Sequence, residues 1–240
     1  MSTINEIAPD VFRITTYVPA ADLQFSQFLI RDEEPLLYST GHNRLFPEIR
    51  TAAESLIDIK TLRWIGFSHN EADENGSLNQ WLELAPQATV FSGLVAAATG
   101  VNDVAIRPPR VMQDDERLCT GRHTFRFLVT PYVPHSWEST LLYDETERVL
   151  FCSDLFVQHG NPPVTRDDIL TPAIADLKRN QQTPFRDSIP FTPHTRPTLA
   201  RLAALQPHTL ATMHGSVFHG DGAQVLQALG EQLEEVLAGA

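Results

Sequence analysis

The segment that most constrains this chain is Phe67-Ser68-His69-Asn70-Glu71-Ala72-Asp73-Glu74-Asn75-Gly76. It follows the compact apolar run Arg63-Trp64-Ile65-Gly66-Phe67, which reads as a buried strand. It precedes Ser77–Ala85, where Leu78, Trp81 and Leu82 share one helical face. A loop with four ligand-type side chains is thus pinned at the C-terminal edge of a strand, where open α/β sheets gather ligands. His69, Glu71 and Asp73 stand at i, i+2 and i+4. On extended backbone such side chains leave from one side, whereas on a helix they fan out, so the spacing predicts an extended loop converging on a point. Taken alone, the stretch reads equally well as an ordinary polar loop.

Three further segments change that balance. Pro134-His135-Ser136-Trp137 lies in a loop beyond a strand, Asp154 follows the apolar run Val149–Cys152, and His214-Gly215 follows Thr209–Met213. Each stands at the end of a β-run, the position from which side chains of different strands can meet.

The remaining periodicity fills in the frame. Val11–Tyr17, Gln24–Ile30, Pro35–Ser39, Thr89–Ser92, Thr124–Val129, Ser139–Asp144 and Val149–Cys152 read as strands. Phe46–Ile57, Asp168–Gln181, Pro197–Leu205 and Ala223–Leu237 read as helices, with a brief one over Leu94–Thr99. Strands mixed with crossover helices predict an α/β layered architecture. The Pro-rich stretch Asn161–Phe191 is too short to flank a second core and reads as an insertion, so residues 1–240 are expected to form one domain.

The formal charge of −12 argues against nucleic acid and anionic membrane as partners, since both reward clustered cations. No apolar run approaches the ~20 residues of a membrane helix, and the start carries neither a cationic nor an apolar leader region. A cytoplasmic protein is expected. Cys119 and Cys152 form no Cys-x-x-Cys pair and are expected to be buried free thiols.

The order His-x-Glu-x-Asp, a distant His, Ser-Asp after a strand, and His-Gly near the end resembles the metallo-β-lactamase superfamily. Within it the chain is similar to the branch of flavodiiron and stand-alone oxygen-binding di-iron proteins. Glu71 stands where hydrolytic members carry a second His, and the opening strands Phe25–Ile30 and Pro35–Leu37 fit the same branch. The resemblance spans about Phe25 to His219. It implies an αβ/βα four-layer sandwich with two metal ions on its upper edge. His69, Glu71 and His135 would bind the first ion; Asp73, position 74 and His214 would bind the second; Asp154 would bridge. The branch usually has His at position 74, and this chain has Glu74, which either binds the second ion or points away and leaves it under-coordinated.

Hard carboxylates mixed with imidazoles suit iron or manganese, whereas zinc hydrolases of this fold lean on His. Iron is therefore expected, with zinc or manganese as the alternatives. The implied function is binding or reduction of a small diatomic, O₂ or NO. A separate redox protein would supply electrons, or the chain would act as an oxygen sensor. The rival is a metal-dependent hydrolase of an ester, thioester or lactone. A third possibility is a site that has lost strong metal binding through Glu74. A homo-oligomer is compatible with all three.

The other residues near the motifs read more plainly. His42, His159 and His219 lie in loops that can approach the site, while His123, His194 and His208 read as structural or surface. Tyr132 and Trp137 read as core or pocket wall. Gly215 is expected to let the backbone pass close to the metals. Glu138, Glu231, Glu234 and Glu235 read as solvated charge.

Overall fold

The computed structural model describes residues 1–237 and contains two sheets. The first has seven strands in chain order: β1 (Thr3–Ala8), β2 (Val11–Val18), β3 (Leu23–Ile30), β4 (Leu36–Tyr38), β5 (Trp64–Gly66), β6 (Thr89–Gly93) and β7 (Arg110–Met112). The second has six: β8 (Arg117–Cys119), β9 (Thr124–Val129), β10 (Thr140–Asp144), β11 (Val149–Ser153), β12 (Thr209–Thr212) and β13 (Phe218–His219), from β13 at one edge to β8 at the other.

Pairing is antiparallel from β1 to β4 and parallel from β4 to β7. Parallel neighbours cannot be joined by a tight turn, so each parallel step carries a helical crossover. These are α1 (Phe46–Glu54), then α2 (Ala72–Asn75) with α3 (Leu78–Leu84). The next is α4 (Leu94–Ala96), which runs through a π-helical turn at Ala97–Val101 into α5 (Asn102–Val104). In the second sheet the one parallel pair, β11 with β12, is bridged by α6 (Leu170–Asn180) and α7 (Thr195–Ala204). The C-terminal helix is α8 (Gly222–Leu237).

Three apolar layers show how the elements stack. Leu29, Leu37, Ile65 and Val90 of the first sheet bury against Ile49 of α1 and Trp81 of α3. Their chain neighbours Phe28, Leu36, Trp64 and Phe91 point the other way, onto Phe125, Phe127 and Phe151 of the second sheet. Leu128, Leu150 and Leu210 complete the sequence by packing under α6, α7 and α8. Because successive strand residues face opposite sides, both faces of both sheets are covered, giving helix–sheet–sheet–helix order. Phe151 is fully buried and meets Phe28 edge to face at 5.1 Å between centroids, so burial of this ring alone contributes roughly 2–3 kcal/mol.

Several elements differ from the sequence reading. β1, β7, β8 and β13 carry no strong apolar alternation and lie at or next to sheet edges, where one neighbour suffices. The loop after β5, expected to be extended, instead bends over Ser68–Glu71, where the Glu71 amide donates to the His69 carbonyl at 3.0 Å, and beyond Glu71 α2 is helical. Cys152 is buried as expected, but Cys119 is exposed, because β8 is an edge strand.

Candidate metal centre

The site lies where strand ends of both sheets meet. Because β5 stops at Gly66, Phe67 to Glu71 must cross the sheet edge before α2 begins. Glu71 is still extended, at φ −128° and ψ 159°, and caps α2. A tight turn through Asn70, closed by the Glu71 amide on the His69 carbonyl, brings His69 Nε2 and Glu71 Oε2 to 3.7 Å. Asp73 and Glu74, neighbours on a helical turn, diverge by about 100° about the helix axis. From the second sheet, Asp154 follows β11 directly and His214 follows its parallel neighbour β12. His135 is delivered by the turn between β9 and β10.

These side chains fall into two clusters with one shared member. His69, Glu71, His135 and Asp154 each offer a ligand atom within 4.8 Å of the others, and so do Asp73, Asp154 and His214. Asp154 Oδ2 lies 3.5 Å from His69 Nε2 and 2.9 Å from His135 Nε2. Its other oxygen, Oδ1, lies 3.2 Å from His214 Nε2, which is in turn 3.2 Å from Asp73 Oδ2. Glu71 closes the first cluster from the solvent side, 3.7 Å from both His69 and His135.

Glu74 joins neither cluster. Its fully buried carboxylate points into the core, accepting from Ser39 Oγ at 2.5 Å, Ser153 Oγ at 2.6 Å and the Ser68 amide at 3.2 Å. It passes 4.0 Å from His69 Nδ1, on the side away from the clusters. The second possibility stated for this residue, pointing away, is the arrangement present. The clusters hold three carboxylates and three imidazoles, one negative charge fewer than a set that includes Glu74.

The surroundings fix these groups in place. His214 Nδ1 donates to the Gln24 carbonyl at 2.7 Å, so its Nε2 faces the site. Gly215 sits at φ +137°, where a Cβ would collide with the Gln158 side chain at 2.7 Å, so glycine is required there by the left-handed backbone and by packing against Gln158. Arg13 is buried in β2 and donates to Ser26 Oγ, Gln24 Oε1 and the Gly215 carbonyl. Glu138, read as solvated charge, is instead buried and accepts from the Asn70 amide at 3.1 Å. Ser39, Tyr132, Ser136, Ser153 and Phe156 adopt left-handed backbone with φ between 49° and 64°. Strain of this kind persists where surrounding contacts over-determine it, and it gathers at functional sites.

Electrostatics reflect crowding. Burial alone would raise the Asp154 carboxyl, but the adjacent imidazoles of His135 and His214 hold it well below the usual carboxylate range. Burial opposes the charged form of His214, yet Asp154 and Asp73 raise it to about 10; His69 is raised to about 9 by Glu71, Glu74 and Asp154 against the same opposition. Burial pushes Glu74 up. Two buried atoms at the heart of the site, His69 Nε2 and Asp154 Oδ1, make no hydrogen bond. Orphaned polar atoms at such depth are costly, and a cation in each cluster would satisfy one of them. The donor set thus fits metal ions.

A cleft of about 740 Å³ opens above the clusters, reaching Phe25, His42 and His159 and walled on one side by Phe185, Ser188 and Ile189 of the Pro-rich insertion. His42 packs against Phe25 at 4.9 Å and His159 faces Asp176, and both line the cleft; His219 of β13 bonds Thr209 of β12 and does not. His123 is buried against Asp144. Trp137 and Tyr132 stand exposed outside the cleft lining rather than walling it. Nothing in the local pattern marks Arg13, Ser39 or Ser153 as supports, since isolated polar residues in or beside strands usually face solvent.

The ODP family beta lactamase profile matches residues 23–215. The flavo-diiron protein FprA2 of Clostridium acetobutylicum is 26% identical over 203 residues, covering 82% of this chain and 50% of that protein. The chain spans about a quarter to a half of the length of the curated relatives it matches. Rubredoxin oxygen:oxidoreductase from Desulfovibrio gigas superposes with a TM-score of 0.82 at 19% identity, over 95% of this chain and 62% of that one. A fragment (residues 1–254) of diflavin flavoprotein A 5 from Nostoc sp. superposes at 0.81 and 18% identity, over 98% and 96%. Both likenesses bear on the fold, a mixed α/β arrangement of two sheets and helices.

Proposed function

We propose that this chain, which belongs to the ODP family of β-lactamase-like proteins, holds two iron ions and with them binds or reduces O₂ or NO, using electrons from a separate donor. The observation that carries this reading is Asp154, a buried carboxylate whose two oxygens face two different ligand clusters. His69, Glu71 and His135 would complete the first half-site, and Asp73 and His214 the second.

Iron is favoured over zinc by the donor chemistry. Glu71 places a hard oxygen between His69 and His135, and carboxylates equal imidazoles across the pair. A pair of ferrous ions would supply the binding position for the gas and part of the electrons. Reduction of O₂ to water needs more electrons than two such ions store, hence the donor. The chain's own residues do the rest. The Gln24 carbonyl and Ser68 Oγ orient His214 and His69, and His42 and His159 stand in the cleft as groups able to hold or pass a proton. With Glu74 turned inward, the second half-site has one protein ligand fewer than the first, leaving room for an exogenous molecule.

The open cleft favours keeping the hydrolase reading in view, because 740 Å³ admits an organic substrate. One experiment separates them. Metal-free protein is loaded with ferrous iron or zinc, then O₂ and NO consumption with a chemical reductant is recorded beside hydrolysis of esters, thioesters and lactones. Gas consumption by the iron form with weak zinc-dependent hydrolysis supports the proposal. Efficient zinc-dependent hydrolysis with an iron form inert to both gases overturns it.

A further inference from the structure

A second cavity lies beside Asp154, next to the open cleft. It is bounded by Leu155 and Phe156 of the segment after β11, by Ile174 and Leu177 of α6, and by Leu229 and Leu233 of α8. Its volume is about 40 Å³. It is a partly open pocket rather than a sealed void, and most of its lining is apolar. The cavity and the cleft share Asp154, Val157, Asn180, Ser188 and Ile189 as wall, so the two spaces adjoin at the bridging carboxylate.

The lining decides what such a space holds. An ordered water needs two to four polar partners, and the inner walls are aliphatic and aromatic. Of the two carboxylates on the lining, Asp154 faces the ligand clusters and Asp176 is already engaged: it accepts from the His159 amide at 2.7 Å and pairs with Arg179 at 2.9 Å. Asn180 and Ser188 belong to the wall shared with the cleft. A dry apolar cavity of roughly 150 Å³ accepts benzene or xenon. One about a quarter of that size accepts an apolar diatomic and excludes rings and acyl chains. O₂ and NO both partition from water into apolar surroundings.

We propose that this cavity is a binding site for an apolar diatomic gas, from which O₂ or NO reaches the metal centre past Asp154. The proposal rests on the function inferred above, whose substrate it supplies with a route.

Two measurements test it. Crystals of the metal-loaded chain are pressurised with xenon, and density is expected between Phe156, Ile174 and Leu229. Ala173, also on the lining, is then replaced in Ala173→Phe, with the milder Ala173→Val as a second variant should the larger ring disturb folding. Iron content is expected to stay at the wild-type level, xenon occupancy to fall, and the bimolecular rate with O₂ and with NO in rapid mixing to drop several-fold. Absence of xenon in the wild type overturns the proposal, and so does an unchanged gas rate in a variant that has lost xenon. Slowing with O₂ alone or with NO alone identifies which gas uses the route. If ferrous wild type reacts with neither gas, the function proposed above fails and delivery with it, whereas xenon still decides whether the cavity takes apolar guests.

Discussion

Ser153 donates to Glu74 at 2.6 Å from the position directly before Asp154. The carboxylate that would bridge two metals is thus tied through one peptide unit to a carboxylate that touches neither. Ser39 holds the same Glu74 from the other side, and both serines have left-handed backbone. Glu74 therefore supports the floor of the site.

Glu74→Ala would leave the Ser39 and Ser153 hydroxyls and the Ser68 amide without an acceptor. Each unsatisfied buried group costs about 1–3 kcal/mol, so the three together should cost the variant at least about 3 kcal/mol in denaturant titration while the first half-site still binds metal. Stability within about 0.5 kcal/mol of wild type, the range of ordinary surface changes, would contradict the support role.

Metal stoichiometry should follow the clustering. Glu71→Ala and His214→Ala each remove a ligand from one cluster, so each variant should retain the ion of the other. Asp154→Ala removes the shared member and should lose both. Elemental analysis after dialysis decides this, and two ions retained in Asp154→Ala would mean that Asp154 does not bridge.

The metal-free and loaded proteins should respond oppositely to pH. In the metal-free fold His69 and His214 are raised from 6.5 to about 9 and about 10. Their stabilisation is complete below pH 6.5 and is lost as pH rises through those values. Asp73 and Asp154 are lowered from 3.8, so their contribution is present above that pH and lost as acid protonates them. Metal-free protein should therefore melt highest between pH 3.8 and 6.5 and weaken toward pH 10. Metals require neutral imidazoles, so loading should release protons and the loaded protein should gain stability across the same alkaline range. Thermal scans at several pH values with and without metal test both slopes; a metal-free Tm that is flat from pH 6.5 to 10 would refute the first.

Thiol chemistry should distinguish the two cysteines. Cys152 is buried and burial pushes its thiol up, so it should resist alkylation in the native state. Cys119 is exposed and should react. Mass spectrometry should find one label on folded protein and a second only after unfolding.

Much of the frame was legible because apolar periodicity reports burial directly. The parallel strands β5 and β11 and the helices α1, α6 and α8 are read from their side chains alone. So are the segments carrying His69, His135, Asp154 and His214, since each follows a strong strand signal. The direction of Glu74 was not legible, because it depends on where α2 starts. One helical residue more or less turns the side chain from core to cleft, and no local signal fixes that start. Glu138 was misread for a related reason: its partner is the Asn70 amide, 68 positions away. Edge strands such as β8 were missed, and with them the exposure of Cys119, because one-sided pairing leaves little pattern in the sequence.

The seam between the sheets carries a last consequence. Beneath the clusters the Thr140 amide of the second sheet donates to the Ser68 carbonyl of the first at 2.9 Å. At the far end, His214 is tied to the Gln24 carbonyl and Arg13 to that of Gly215. Every one of these ties ends on a main-chain oxygen. Two of the three are reached by side chains, and one of those, His214, is itself a candidate ligand. Replacing Glu71 or His135 therefore leaves the seam whole, whereas replacing His214 removes a grip and a tie together.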